Sequence, residues 1–238
     1  ENGYSLTMDP TTTFIANNGE KASFDIGSLS TVSALGSQIS GLTTSGLGTV
    51  IVSNDSFTAD FSTLTNSAIT VYWDIISGVF TGDFGNASVN VRSGNTLTLT
   101  AALATGKNIS GSGIVNITEL NNTTDADLSN ITASTVTASW SSGTGNFSGD
   151  LGKAIVTISG SSRMTIFPSA TTGTSSFVVE SGSTLAATDT SMVGLSVTGL
   201  GDMDFSLTSG TFDFSNIQNA NTTATLINDI IFIGSFVT

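Results

Sequence analysis

Runs of alternating apolar and polar residues recur along the chain: Ala68-Ile69-Thr70-Val71-Tyr72-Trp73, Ser88-Val89-Asn90-Val91, Thr96-Leu97-Thr98-Leu99-Thr100 and Ile155-Val156-Thr157-Ile158. Successive side chains of an extended backbone point to opposite faces, so a period of two predicts strands with one buried and one wetted face. Helical spacing is nearly absent. The one candidate for a helical turn is the alanine-containing stretch from Leu99 to Lys107. Gly, Asn, Asp and Ser separate the strand-like runs at roughly ten-residue intervals, the pattern of a sandwich, a barrel or a solenoid.

These runs belong to a larger repeat. Asp60-Phe61-Ser62-Thr63-Leu64 recurs as Asp127-Leu128-Ser129-Asn130-Ile131, an offset of 67 in the numbering (60 to 127). Without a gap, the same offset places Trp73 on Trp140, the only two tryptophans. It also places Phe80-Thr81-Gly82-Asp83-Phe84-Gly85 on Phe147-Ser148-Gly149-Asp150-Leu151-Gly152. A third signature, Asp213-Phe214-Ser215-Asn216-Ile217, follows at the larger offset of 86 (127 to 213), which predicts an insertion within Thr165–Ser191. Gly199-Leu200-Gly201 precedes it much as Gly46-Leu47-Gly48 and Gly111-Ser112-Gly113 precede the earlier copies. The chain accordingly divides into an N-terminal β segment (1–44), repeat 1 (45–108), repeat 2 (109–168), and an insertion plus a truncated repeat 3 (169–238).

A unit of this length is short for an immunoglobulin-like sandwich of about 100 residues. It accommodates about three solenoid coils of roughly 22 residues each. The expected fold is therefore all-β, a repetitive parallel β-solenoid, with an antiparallel β-sandwich as the alternative. In the solenoid, Leu128, Ile131, Val136, Phe147, Leu151, Ile155 and Ile158 are expected to point inward.

Charge and composition then narrow the chemistry. Five Lys plus Arg against eighteen Asp plus Glu give a net charge of −13, which repels nucleic acid and anionic membranes. No apolar run approaches the ~18 residues of a membrane span. The start, Glu1-Asn2-Gly3, carries no export signal, so any such signal is expected to have been removed or to lie elsewhere. Cysteine and histidine are both absent, which excludes disulfides, thiolate and imidazole ligands, and nucleophile systems that need either residue.

Carboxylates remain. Asp125 with Asp127, and Asp202 with Asp204, share a strand face if those segments are extended. A glycosidase can use such a pair, and a β-helix lyase can use a base such as Arg92, Arg163 or Lys153. Yet Arg92 aligns with Ser159 and Arg163 with Thr96, so these bases do not recur and the charges read as solvated strand positions. Asp83 and Asp150 do recur, each before a glycine-containing turn whose amides can donate to the aspartate. Their alternative role is calcium ligation, a hard oxygen beside turn carbonyls. Asp83, Asp150, Asp125, Asp127, Asp202 and Asp204 are thus the calcium candidates, and no other cofactor is expected. Asp60, Asp127 and Asp213 are expected to cap corners. Asn-x-Ser/Thr sequons at Asn54, Asn86, Asn108, Asn116, Asn121, Asn122, Asn130, Asn146 and Asn221 are candidates for glycosylation. Thr96, Thr98 and Thr100, and Thr135 and Thr137, form short ladders that strand propensity explains better than ice binding. Trp73 and Trp140 are expected to be buried rather than to stack on sugar.

The stretch Thr96-Leu97-Thr98-Leu99-Thr100-Ala101-Ala102-Leu103-Ala104-Thr105-Gly106-Lys107-Asn108-Ile109-Ser110-Gly111-Ser112-Gly113-Ile114-Val115-Asn116-Ile117-Thr118, continued by Asp127-Leu128-Ser129-Asn130-Ile131-Thr132-Ala133-Ser134-Thr135-Val136-Thr137-Ala138, resembles β-strand repeat units of very large bacterial surface proteins. These are S-layer-like or adhesin-like chains, often exported by type I secretion, and the resemblance covers residues 45 to 167. It implies a cell-surface location and a structural building block of a layer, filament or adhesin stalk. The Gly-Gly-x-Gly-x-Asp calcium motif of many such proteins does not occur. The expected partners are copies of the chain itself or the rest of a larger surface polypeptide, with glycans as further candidates and neither nucleic acid nor membrane insertion. The alternative is a module that binds carbohydrate or another surface, including ice; a carbohydrate-active enzyme is expected least. The apolar segment Leu226–Val237 is expected to be covered, either by this chain's core or by the segment Tyr4 to Ile15 of a neighbour.

Overall fold

A computed structural model describes residues 5–7, 23–123, 125–141, 143–167, 174–188, 195–207, 210–213, 215–226 and 230–233. Of the described residues 54% are strand and 4% helix, with parallel sheets forming a β-solenoid. In chain order the strands begin with β1 (Ser5–Thr7), β2 (Ser23–Asp25), β3 (Thr31–Leu35), β4 (Thr43–Ser45), β5 (Thr49–Asn54), β6 (Ala68–Trp73) and β7 (Ser77–Val79). They continue with β8 (Ser88–Val91), β9 (Thr96–Thr100), β10 (Ile109–Gly111), β11 (Ile114–Leu120), β12 (Thr135–Trp140), β13 (Thr144–Phe147) and β14 (Ile155–Ile158). The last are β15 (Arg163–Ile166), β16 (Ser176–Val179), β17 (Thr184–Thr188), β18 (Ser196–Leu207), β19 (Gly210–Asp213), β20 (Ile217–Leu226) and β21 (Ile230–Ile233). Among the described residues two single-turn helices, α1 (Gly36–Ile39) and α2 (Ala101–Ala104), follow β3 and β9. The second lies in the Leu99 to Lys107 stretch, the one candidate for a helical turn although its flanks read as strand, and the Thr100 hydroxyl caps it by accepting from the Leu103 N–H at 3.3 Å.

The chain forms two compact units. One comprises Glu1–Leu99, Lys107–Val115 and Thr132–Thr135; the other comprises Thr100–Gly106, Asn116–Ile131 and Val136–Thr238. In the first unit β1, β3, β5, β6, β8 and β10 pair in that order, each parallel to its neighbour. β7 pairs with β9, and β2 with β4. In the second unit β12, β14, β16 and β18 form one parallel series and β13, β15, β17 and β18 another, with β20 beside β18. Parallel neighbours cannot be joined by tight hairpins, so the chain must travel round a coil before each strand meets the next. That connectivity is a solenoid and disposes of the antiparallel sandwich.

The alternation read from the sequence sets which side chains fill the coils. Val50, Val52, Val71, Trp73, Val91, Leu97, Leu99, Trp140, Val156 and Ile158 are all at 0% exposure. Both tryptophans are therefore interior residues. Ile155 is the exception to the expected inward set, since it is 40% exposed and the buried phase of β14 belongs to Val156 and Ile158.

Coil length is the second difference from expectation. Thr31 pairs with Thr49, Thr49 with Ala68 and Thr70 with Ser88, advances of 18, 19 and 18, while Val89 pairs with Ile109 and Ile155 with Ser176, advances of 20 and 21, so these coils are somewhat shorter than the expected 22. Three such coils fall short of the repeat. Upstream of Asp60 the duplication runs at an offset of 65, as α1 at Gly36 and α2 at Ala101 show. A repeat is thus three coils plus half of another, which carries the copied strand onto the next side. β3 accordingly lies in the sheet of β5 and β6, whereas its copy β9 pairs with β7.

The longer third offset also resolves. β8 begins at Ser88 and recurs as β14 from Ile155 and again as β16 from Ser176, and these two copies stand one coil apart. Ile155 pairs with Ser176 and Arg163 with Thr184, the same advance in both series, so a whole added coil leaves the register intact. That coil, from Ile155 to Ser176, overlaps the interval Thr165–Ser191, where an insertion was expected, only in part. Phe214 of the third signature, the segment Tyr4 to Ile15 apart from the backbone of residues 5–7, and most of the apolar C-terminal segment lie outside the described residues.

Glycines hold one corner. Gly46, Gly111 and Gly199 have φ of +102°, +112° and +116°. A Cβ on each would collide with the carbonyl oxygen of Ile26, Val91 or Val179, the residue at the matching place on the coil beneath. Only glycine meets both the conformation and the close approach.

Candidate functional site

The recurring aspartates sit at corners of adjacent coils. Asp60 and Asp83 form one isolated parallel bridge, and Asp127 and Asp150 form its copy. The Phe61 N–H donates to the Asp83 carbonyl at 2.7 Å, and the Leu128 N–H donates to the Asp150 carbonyl at 2.7 Å. The carboxylates turn onto their own chain. Asp60 Oδ1 accepts from the Ser62 N–H at 2.9 Å and its hydroxyl at 2.6 Å; Asp127 Oδ1 accepts from Ser129 at 3.0 and 2.6 Å. Asp83 Oδ1 accepts from the Gly85 N–H at 2.7 Å, and Asp150 Oδ1 from the Gly152 N–H at 2.8 Å. These are the side-chain-closed turns expected from the sequence.

Lys107 Nζ donates to the Gly85 carbonyl at 2.7 Å and lies 3.7 Å from Asp83 Oδ1. The local field at Asp83 is thereby partly balanced. Asp125 does not join Asp127: its Oδ1 accepts from the Ser148 hydroxyl at 2.7 Å and the Ser148 N–H at 3.3 Å, on the neighbouring coil. Among the described residues no three carboxylates group closely enough to hold a metal ion.

Asp202 and Asp204 lie outward on β18, as the period of two required, but each faces a different partner. Asp202 Oδ1 accepts from Asn221 Nδ2 at 2.9 Å. Asp204 Oδ2 accepts from Arg163 Nη1 at 2.6 Å, across the intervening strand β17. The register supplies the rest of this face. Thr165 pairs with Ala186, Ala186 with Asp204, and Asp204 with Thr223; Thr188 pairs with Ser206 and Ser206 with Thr225.

The result is a depression of about 320 Å³ in the outer wall of the second unit. Ala186 is its floor, only 7% exposed although it alternates outward on β17. Arg163 and Asp204 stand over it at 39% and 40% side-chain exposure. Sequence reasoning had Asp204 and Arg163 as separate candidates, for calcium and for base catalysis. It missed Ala186, whose signal is the departure from Thr98 and Thr165 at equivalent repeat positions.

A second polar cluster lies in the first unit, where Arg92 meets Asp74 at 3.0 Å and lies 4.5 Å from the centre of the Tyr72 ring. Of the sequons, Asn54 is buried at 1% and binds the Ser56 backbone, while Asn116 Oδ1 accepts from the Thr137 hydroxyl at 2.6 Å. Asn86, Asn122, Asn130 and Asn146 are exposed. No protein-family model, curated protein or solved structure matches the chain.

Proposed function

We propose that the chain is a non-enzymatic structural module of an extracellular surface assembly, a length of β-solenoid that associates with further copies of itself. The observation that supports this reading most is the additional coil from Ile155 to Ser176, accommodated in full register between its neighbours. A fold that takes up whole coils without repacking is suited to spanning distance, because each coil contacts only its neighbours. Parallel strands at the end of a stack present the same N–H and C=O rows that coils present to one another, which is the chemistry of end-to-end growth. The net charge of −13, the missing cysteine and the missing histidine accord with an exported, chemically inert chain.

The test is sedimentation velocity combined with electron microscopy over a concentration series. Elongated, end-joined particles that grow with concentration are expected, and a monomer at every concentration overturns the reading. Inertness has its own test, a screen for turnover on a polysaccharide panel. Turnover that vanishes in Asp202→Asn or Asp125→Asn would make the chain an enzyme instead.

A further inference from the structure

We propose that the outer face of β15, β17, β18 and β20 is a binding site for a neutral polysaccharide, with Ala186 as its floor and Arg163 and Asp204 as its directing groups. The first argument is shape. A depression of about 320 Å³ lies at the lower end of the range of about 300–1,000 Å³ that ligand sites occupy. It is a shallow, open surface, suited to a chain laid along it.

The second argument comes from the repeat. At the position of Arg163 the other copies carry Thr96 and Thr184, and at the position of Ala186 they carry Thr98 and Thr165. Asp202 and Asp204 likewise replace Ile114 and Asn116. The strands form equally well with threonine at the first two places and with isoleucine and asparagine at the last two, so the scaffold does not require an arginine, an alanine or two aspartates here. Side chains that depart from the repeat on an unchanged backbone are how a site is grafted onto a fold.

The third argument is chemistry. A guanidinium offers five N–H donors, a carboxylate offers only acceptors, and the hydroxyls of Thr165, Ser206 and Thr223 offer both. Strand spacing of about 4.8 Å presents them in rows that a chain of sugar hydroxyls lying across the strands meets one after another. The Arg163–Asp204 pair cancels its own charge, and Asp202 together with the overall charge of −13 disfavours an anionic polymer. Among the described residues the one aromatic side chain lining the depression, Phe205, is 2% exposed, so recognition rests on hydrogen bonds rather than on ring stacking.

Titration of the isotope-labelled protein with cellohexaose, mannohexaose and xylohexaose, followed by amide and side-chain NMR, tests the site. Saturable shifts confined to residues 163–167, 184–188, 202–207 and 221–225 are expected with at least one of the three. Asp204→Asn, which keeps the shape, and Ala186→Val, which fills the floor with a strand-forming side chain, should each weaken binding about tenfold or more at an unchanged unfolding temperature. Thr98→Val, at the equivalent place in another copy, should leave it unaltered. The proposal is overturned if none of the three oligosaccharides gives saturable shifts, if the shifts map elsewhere, if Thr98→Val weakens binding as much as Asp204→Asn, or if polygalacturonate binds in preference.

Discussion

The segment from Asp60 to Leu99 and its copy from Asp127 to Ile166 share a frame but not an interior. β6, β8 and β9 recur at one common offset as β12, β14 and β15, and the turn glycines Gly85 and Gly152 have φ of +55° and +56°. Backbone bonds match as well: Asp83 N–H to the Ala59 carbonyl at 3.1 Å corresponds to Asp150 N–H to the Ala126 carbonyl at 3.0 Å. Inside, the first copy stacks Phe80 on Phe84 at 4.0 Å between ring centres, sets Phe61 6.4 Å from Phe84, and turns the edge of Trp73 to Phe80 at 5.9 Å. The second copy has Leu128 and Leu151 where the first has Phe61 and Phe84. Trp73 Nε1 donates to the Thr96 carbonyl, whereas Trp140 Nε1 donates to the Gly143 carbonyl. Corners and ladders thus fix the backbone, and the interior is free to change by paired substitution so long as it stays filled.

Breaking that interior should have the largest effect. Phe80→Ala removes a fully buried ring that touches both Trp73 and Phe84, and is expected to cost about 3–5 kcal/mol in urea unfolding. Full native stability in that variant would show that the aromatic stack is dispensable.

Breaking the frame comes next. Gly111→Val places a branched side chain at φ +112° against the Val91 carbonyl, with an expected loss of about 3 kcal/mol. Gly94→Ala, at φ +82° with open space around it, should lose only about 1–2 kcal/mol. Equal losses at the two positions would mean that backbone conformation, not the close approach of coils, decides the corner.

The paired change can be sharpened with a cycle. Phe61→Leu and Phe84→Leu are each expected to destabilise. Together they recreate the second copy's pair, so the double variant should lose less than the sum by about 0.5–1.5 kcal/mol. Strict additivity would refute the claim that the two positions change as a unit.

The smallest effect concerns a turn. Leu29, 72% exposed at φ +65°, occupies the place that Gly94 and Gly182 fill in later copies at φ +82° and +81°. Leu29→Gly should raise the unfolding midpoint, by about 0.5–1 kcal/mol of added stability after the entropy of glycine is counted. A lowered midpoint would show that the exposed leucine makes a contact of its own.

Local pattern by itself determined the strands, the duplication and the aspartate turns. In each of these the deciding interactions lie close together in the chain: alternation along one strand, or a carboxylate reaching the amide of the next residue but one. Even there a phase was open in Ile155-Val156-Thr157-Ile158, where apolar residues occupy both faces and only the buried wall of β14 selects Val156 and Ile158. α1 also escaped notice, because Gly36-Ser37-Gln38-Ile39 has none of the alanines that marked its copy.

Tertiary structure alone decided how much chain closes a coil, and hence which side each copied strand faces. That length depends on corners such as Gly46 and Gly111, where the backbone of one coil meets the coil beneath. The placement of Arg163 over Ala186 beside Asp204 follows from it. One coil runs from Arg163 to Thr184 and a shorter one from Thr184 to Asp202, and together they join side chains that no spacing in the sequence associates. Strand alternation is a property of single segments, whereas register between coils is a property of the closed turn, and only the folded chain closes it.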